Sequence, residues 1–588
     1  MNAAADRREV RRVPIVHLIA AAIAAFIILA QGISAPFQKD AEPQSAEWIV
    51  SVTRDGNWLT PRDYYGFFDR KPPLYYWLSA IVTRASGGTV DETRARLVSV
   101  VSATVIAVEV LAWTAAEVGL ATGWLAFLFL LGIYGFSSRA TLALTDMLMV
   151  AMLMSAWLLA YPMFSGSVPR WRVLAAGILL GLGIMTKGPL VLILIALAAF
   201  LFAILSGSGL RAFLGRMWPW QILAISVAIG AGWYLLLFGV DGSHAFVIFF
   251  KENLGHFAPE GLGGTGEGSR PFWYIVARLI GGANPLILLM PATLAAFATG
   301  EIPVSRRAPL LFQASLVAAV VIFFSIASAK RDDYILPALP GIAILSAAAF
   351  GLQDPQSAYP GGAKIRDGVS ALIAFATILA GVLALITARR NPDLSFQSSD
   401  AALMTLLERG IGTRDAPFML VLAIWSMAAP AALFFLYRRS IVLAGAMIGI
   451  IALAGVTLVD AVVRPELAWA RSCKIFLADI GGQIDSHPLF VVHNTDFELA
   501  FYYGRGLPPL IHGAHVPPIF GNQPPAPPTD QPSYLLAHDS DLGILPDTYR
   551  KRMRTLARSN GIGRDGGMSL YLLEPPQAGL NSGSGTAR

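Results

Sequence analysis

The sequence predicts a polytopic α-helical membrane protein of about thirteen transmembrane helices, followed by a small α/β domain outside the membrane. Of its 588 residues, 55% belong to the hydrophobic set and 14% are charged, where a soluble chain carries about a quarter. Apolar runs of about 20 residues, the length that crosses a bilayer, recur from Pro14 to about residue 460. Beyond that point the apolar stretches shorten to strand and helix lengths.

These features exclude other classes. Mean hydropathy of +0.59 rules out a string of soluble domains. The single Cys473 has no partner within the chain and so excludes a disulfide scaffold. The net charge of +6 does not indicate nucleic acid, because the basic residues fall in pairs between apolar runs rather than in one patch.

The first run, about 14–37, follows Arg7, Arg8, Arg11 and Arg12. It is longer than a signal-peptide core and reads as an uncleaved first span. Further spans are predicted near 97–117, 121–138, 147–163, 173–186, 189–206, 219–240, 273–298, 309–328, 334–352, 368–387, 416–437 and 441–460. With a cytoplasmic amino terminus, successive inside loops carry Arg170 and Arg172, Arg211 and Arg216, Arg306 and Arg307, Lys364 and Arg366, and Arg438 and Arg439. That alternation is the positive-inside bias, and it puts everything after about residue 461 outside.

Residues 1–460 therefore read as one transmembrane domain with two long outside loops. The first, 38–96, interleaves Trp48, Trp58, Tyr64, Tyr65, Tyr75, Tyr76 and Trp77 with charges, which suits interfacial helices. The second, 241–272, contains the glycine-rich stretch Gly261–Gly268 and reads as a flexible loop. Residues 461–575 read as an α/β domain, with LFVVH (489–493) and SLYLLE (569–574) as strands, a helix near Phe497–Tyr503, and the proline-rich 515–528 as a loop. The tail 576–588 is Gly/Ser-rich and reads as disordered.

Ionisable residues at span ends are costly to desolvate, so each needs a partner, water or a task. Asp40, Glu42 and Glu47 follow span one; Asp69, Arg70 and Lys71 precede Pro72 and Pro73; Asp146 opens span four. Lys187 sits between spans five and six, and Lys330 with Arg331 ends span nine. All fall on the predicted outer side, which points to a cavity there. Carboxylates can deprotonate an acceptor, while Arg and Lys can hold the phosphate of a lipid-linked substrate and stabilise charge on a leaving phosphate. Alternative readings of the same residues are helix caps and snorkelling interfacial anchors. His244 and His256 near Glu252 lack metal-ligand spacing.

The order of motifs resembles the bacterial branch of the protein mannosyltransferase-like glycosyltransferases, the lipid A aminoarabinose transferases in particular, which are GT-C membrane enzymes. The stretches that carry the resemblance are DAEPQSAEWI (40–49), SVTRDGNWLTP (51–61), FFDRKPPLYYW (67–77), RARLVSVV (94–101), ALTDMLMV (143–150), GLGIMTKGPL (181–190), RPFWYIV (270–276) and FFSIASAKRDDYILPALP (323–340). Ala41 separates Asp40 from Glu42 where the family has adjacent acids, and Arg70 stands where it has an acid before the lysine.

The resemblance implies an inverting glycosyltransferase using a polyprenyl-phosphate sugar donor, with undecaprenyl phosphate as the carrier, and a lipid or glycan acceptor such as lipid A. Asp40, Glu42 and Asp146 are then the expected catalytic acids. Lys71, with Arg70, Lys187, Lys330 and Arg331, is expected to bind the donor phosphate. No cofactor is expected and a divalent metal is left open. Membrane lipids, but no nucleic acid, complete the expected partners. The expected location is the bacterial inner membrane, with the amino terminus cytoplasmic and the carboxyl-terminal domain periplasmic. Protein O-mannosylation and lipid-linked sugar transport are the alternative activities.

Overall fold

The computed structural model describes residues 13–37, 41–164, 166, 168–207, 209–252, 270–351, 361–390, 416–484, 487–492, 495–511, 517–520, 526–528, 530–559 and 567–575. Asp40, Arg7 to Arg12, His256, the glycine-rich stretch 261–268 and the tail 576–588 lie outside the described residues.

The chain is mostly helical, and each of the thirteen predicted runs falls on helix. It opens with α1 (Ile15–Leu29), α2 (Ala41–Arg54), α3 (Leu74–Ala85), α4 (Glu92–Glu117), α5 (Leu120–Leu131), α6 (Tyr134–Ala140), α7 (Asp146–Ala160), α8 (Arg170–Lys187) and α9 (Leu190–Leu205). There follow α10 (Leu210–Leu214), α11 (Met217–Val240), α12 (Gly242–Phe246), α13 (Tyr274–Ala283), α14 (Met290–Ala298), α15 (Val304–Ile326), α16 (Leu339–Gly351), α17 (Gly361–Arg390), α18 (Ala416–Tyr437) and α19 (Ile441–Leu458).

Eight helices among the described residues are long and apolar enough to cross a bilayer, and ten if two bent pairs are each one span. Length and composition alone therefore do not confirm the expected count of thirteen. The runs 121–138 and 273–298 are each broken, α5–α6 bending by 66° and α13–α14 by 100°. Pro285 at the second break has no N–H with which to continue a helix. The α1 and α9 helices are apolar but shorter than a full crossing, and α8 carries Arg170, Arg172 and Lys187 at its ends.

Helix ends follow local chemistry. Asp91 caps α4 by accepting the Arg94 N–H at 2.7 Å, and α3 starts directly after Pro73, a favoured lead-in to a helix. Small residues let neighbouring helices approach: a Cβ on Gly177 or Gly181 of α8 would come within 2.7 Å of Ile225 or Ile229 of α11. In the core, Trp157 of α7 stacks on Phe312 of α15 at 3.8 Å between ring centres.

After α19 the chain passes through α20 (Arg464–Arg471) and α21 (Lys474–Ile480) into a four-stranded sheet, with α22 (Phe497–Tyr503) between its first two strands. The strands β1 (Leu489–Val491), β2 (Ser533–His538), β3 (Met553–Arg558) and β4 (Met568–Leu573) lie in the order β1-β2-β4-β3. β1 and β2 are parallel, and the other two pairs are antiparallel. Alternate residues of central β2 enter two apolar clusters, Tyr534 and Leu536 facing one, Leu535 and Ala537 the other. Helix α22, beside this sheet, packs on α2, with the Tyr65 hydroxyl donating to the Asp496 carbonyl at 3.2 Å and the Tyr502 hydroxyl to Glu92 at the start of α4 at 2.8 Å, so this region sits at the end of the bundle where the candidate site lies.

Candidate functional site

Of the residues singled out by sequence, Glu42, Asp69, Lys71, Asp146 and Lys187 lie at one end of the bundle, where α4 and α7 begin, α8 ends, and α2 and α3 lie across the top. Glu42 and Arg96 tie these elements together. The Arg96 guanidinium donates to Glu42 through Nε at 2.9 Å and Nη2 at 3.1 Å, and neither side chain is exposed. Arg96 also donates to the carbonyls of Ile33 and Pro36 at 3.0 and 3.2 Å, while Glu42 accepts the Ala143 N–H at 2.9 Å. Every polar edge of the pair is engaged, which offsets the cost of burying two charges. The pair therefore fastens α2 to the segment that leads into Asp146. Ser99, one turn further along α4, donates to the Leu142 carbonyl at 2.7 Å and reinforces the same junction.

Asp146, at the first position of α7, forms an ion pair with Lys187 at the last position of α8. Both are mostly buried, at 16% and 14% side-chain exposure. The Lys187 ammonium also lies 5.6 Å from the centre of the Tyr334 ring. The space beside them, shared with Asp333 and Pro337, has no room for a water molecule.

The turn before α3 holds the second set. Its backbone is pinned by Asp69 N–H to Pro61 carbonyl at 3.2 Å, Trp48 Nε1 to Phe67 carbonyl at 3.2 Å and Trp77 Nε1 to Trp58 carbonyl at 2.6 Å. Asp69 is 1% exposed, and its Oδ2 accepts no hydrogen bond. Burial pushes its carboxyl well above the usual range, opposed by the backbone N–H and charge of Lys71. Lys71 is half-buried and Arg70 exposed. Tyr76, buried on α3, links this turn to Asp146. Burial raises its hydroxyl, and the charges of Asp69 and Asp146 both add to that rise. Side chains from the Lys71 turn and from α7 therefore face one buried phenol.

A third set comes from 330–334. The Lys330 ammonium donates to the Arg270 carbonyl at 3.0 Å and the Ala327 carbonyl at 2.5 Å, and desolvation lowers its pKa. Arg331 is exposed. Asp332 accepts from Tyr274 and Arg278, and Asp333 pairs with Arg139 of α6. Lys330 is thus held by backbone carbonyls.

Sequence reasoning missed several of these partners. Arg96 entered only as part of a motif, although an arginine at the entry to an apolar span signals a buried acid nearby. Arg139, Asp333 and Tyr334 gave no local signal. Glu47 of α2, singled out only as an ionisable residue following span one, is 1% exposed, accepts the Tyr64 N–H at 2.8 Å, and is pushed by burial to about 9. Among the described residues, no group of three or more His, Cys, Asp or Glu side chains is arranged to hold a metal. His244 packs against the Phe68 ring at 4.2 Å.

Known proteins resemble this chain in sequence and in fold. The family described as dolichyl-phosphate-mannose-protein mannosyltransferase matches residues 70–234. An undecaprenyl phosphate-alpha-4-amino-4-deoxy-L-arabinose arabinosyl transferase of Sodalis glossinidius is 27% identical over 346 residues, 58% of this chain and 60% of the relative. One from Erwinia tasmaniensis is 28% identical over 314 residues, 52% of this chain and 54% of the relative. The chain thus spans about 54–60% of the length of these curated relatives. The crystal structure of ArnT from Cupriavidus metallidurans bound to undecaprenyl phosphate superposes with a TM-score of 0.68 at 19% identity, covering 96% of this chain and 99% of that one. Its apo form gives 0.67. The chain has the GT-C architecture of a multi-pass membrane protein of this type, including the sheet region at its carboxyl end.

Proposed function

We propose that this chain is an inverting glycosyltransferase that moves a sugar from a polyprenyl-phosphate donor, undecaprenyl phosphate being the carrier, to a lipid or glycan acceptor such as lipid A. One observation carries the reading: Lys71, Asp69, Tyr76 and the Asp146–Lys187 pair converge at one end of a fold shared along nearly its whole length with a protein crystallised with undecaprenyl phosphate. The curated relatives are named for transfer of an aminoarabinose from that carrier.

The chemistry asked of such a site is limited. A carboxylate takes the proton from the acceptor hydroxyl, and the acceptor oxygen bonds to the anomeric carbon. The bond from that carbon to the phosphate oxygen breaks, and the electron pair leaves on polyprenyl phosphate. Cations at the leaving phosphate stabilise the charge that grows there. Lys71 takes that role, with exposed Arg70 and Arg331 at the rim and Lys330 beside the Arg270 carbonyl. Asp40 and Asp146 are the candidate acids. Lys187 is the ion-pair partner of Asp146, and Glu42, engaged by Arg96 and the Ala143 N–H, positions the acids rather than accepting the proton. The site end faces the periplasm across the inner membrane, with the amino terminus cytoplasmic and residues 461–575 forming a periplasmic domain, as the arginine pairs at the opposite helix ends favour.

The family match over 70–234 supports a protein acceptor as the second reading. Purified protein in lipid nanodiscs, given undecaprenyl-phosphate aminoarabinose with either lipid A or an acceptor peptide, separates the two. Mass-shifted lipid A with release of undecaprenyl phosphate supports the first reading. Modified peptide supports the second, and neither product sinks the assignment.

A further inference from the structure

We propose that a lateral groove walled by the two broken spans holds one acyl chain of the acceptor lipid; this deepens the reading above and rests on its lipid A acceptor. The groove has a volume of about 610 Å³ and is lined by Gly132 and Tyr134 at the first break, Asn284 and Pro285 at the second, Ala376 of α17 and Val459. Broken helix at membrane depth frees backbone carbonyls and N–H groups, which hydrocarbon tolerates only where protein buries them or a cavity adjoins them. Here the two breaks pack on each other, a Cβ on Gly135 falling 3.0 Å from the Gly282 carbonyl oxygen, and the groove opens beside them. Its outer lip is lipid-facing, with Leu372 and Phe375 of α17 exposed at 60% and 62%.

Length and charge select the occupant. The lining runs from Ile451 to Val459 along α19 and beyond, and from Leu372 to Ala380 along α17. At 1.5 Å per residue each wall is about 12 Å long, close to the roughly 15 Å half-thickness of a bilayer core. One acyl chain of an anchored lipid fits that length, whereas a polyprenyl chain of many isoprene units overruns it. The rim is charged. Asp460 follows Val459 and pairs with Arg464 at 2.8 Å, Arg464 reaches the Thr141 hydroxyl at 3.4 Å, and Arg139 also faces Asp460. Arg139 in turn binds Asp333, which borders Asp146 and Lys187. A chain seated in the groove places its phosphorylated headgroup at two guanidiniums, one ion-pair step from the candidate acids.

Ala376 is exposed on the groove wall, so Ala376→Trp fills the space without entering the packed core. The full chain in nanodiscs is assayed with lipid A and with lipid A stripped of its acyl chains, and bound lipid is read by native mass spectrometry. The expected result is a rise of about tenfold in the KM for intact lipid A, with the KM for the donor and turnover of the stripped acceptor unchanged. A lipid A adduct is expected on the parent and not on the variant. Equal kinetics for parent and variant, or equal loss with both acceptors, overturns the proposal. So does an adduct of phosphatidylglycerol or undecaprenyl phosphate that the variant discharges in place of lipid A. Absence of transfer by the parent refutes the catalytic reading, while the adduct measurement still decides the groove.

Discussion

Arg96 and Glu42, 54 residues apart, meet in a two-point ion pair with no exposed surface, and the same carboxylate accepts the backbone N–H three residues before Asp146. A pair so engaged serves as a bolt between α2, α4 and α7. Removing one partner leaves the other charge buried without compensation, a loss of about 3–5 kcal/mol. Arg96→Ala is expected to lower the thermal unfolding midpoint of the purified protein sharply. Glu42→Gln is expected to lower activity and unfolding temperature together; a loss of activity with the unfolding temperature intact would mean that Glu42 acts on substrate.

Lys71 is the cation expected to meet the leaving phosphate. A charge-assisted hydrogen bond to phosphate contributes about 1.5–3 kcal/mol, so Lys71→Ala should lower kcat/KM for the donor by roughly tenfold to a hundredfold. Lys71→Arg should recover part of the loss, because it keeps the charge but changes the donor geometry. Steady-state kinetics against donor concentration read both, and an unchanged Lys71→Ala variant removes Lys71 from the site.

Asp146 and Lys187 share one ion pair across the junction of α7 and α8. Asp146→Asn should leave the Lys187 charge without its carboxylate, so both stability and turnover should fall. The double variant Asp146→Asn with Lys187→Met should regain stability, because the residual pair is uncharged, but not turnover. Unfolding midpoints and product formation on the same preparations check this, and recovered turnover in the double variant denies Asp146 any role beyond structure.

Glu47 gives a pH signature. Its carboxyl is pushed by burial from 4.5 to about 9, against the Tyr64 N–H, with Asp63 and Asp496 adding to the rise. Between those values the folded protein binds a proton that the unfolded chain has released, so stability falls as pH rises from about 4.5 to about 9. Glu47→Gln should flatten that fall. Thermal melts from pH 5 to 9 on parent and variant compare the two slopes, and equal slopes refute the assignment.

The apolar runs were legible because hydrocarbon imposes a minimum length on every crossing. The breaks at Gly132 and at Asn284–Pro285 were not, since an apolar run reads the same straight or bent. Candidate residues could be found as charges at span ends, but pairings such as Arg139 with Asp333, 194 residues apart, are written in tertiary packing alone. Glu109 shows the same limit within a span. It lies inside a predicted run, and its partner, the Ser155 hydroxyl at 2.6 Å, comes from another helix. In the sheet, β1 and β4 matched predicted strands. β2 was passed over because its side chains are apolar toward both faces, without the alternation that marks a half-buried strand.

Glu92 provides the last test, at the contact between the bundle and the carboxyl-terminal region. Its Oε1 accepts from Lys474 of α21 at 2.7 Å and from the Tyr502 hydroxyl of α22 at 2.8 Å, while the same hydroxyl accepts the Phe37 N–H at 3.2 Å. Glu92 stands one turn before Arg96, so this contact and the Arg96–Glu42 bolt share the first turns of α4. Tyr502→Phe removes both hydrogen bonds and leaves the Phe37 N–H without its acceptor, at a cost of about 1–3 kcal/mol. Hydrogen exchange should then speed up in α22 and at the start of α4, while β2 and β4, held by their own ladder, keep the parent rate. Faster exchange through the whole sheet would show that Tyr502 supports the fold of that region, and no change in α4 would show that the contact transmits nothing to the bundle.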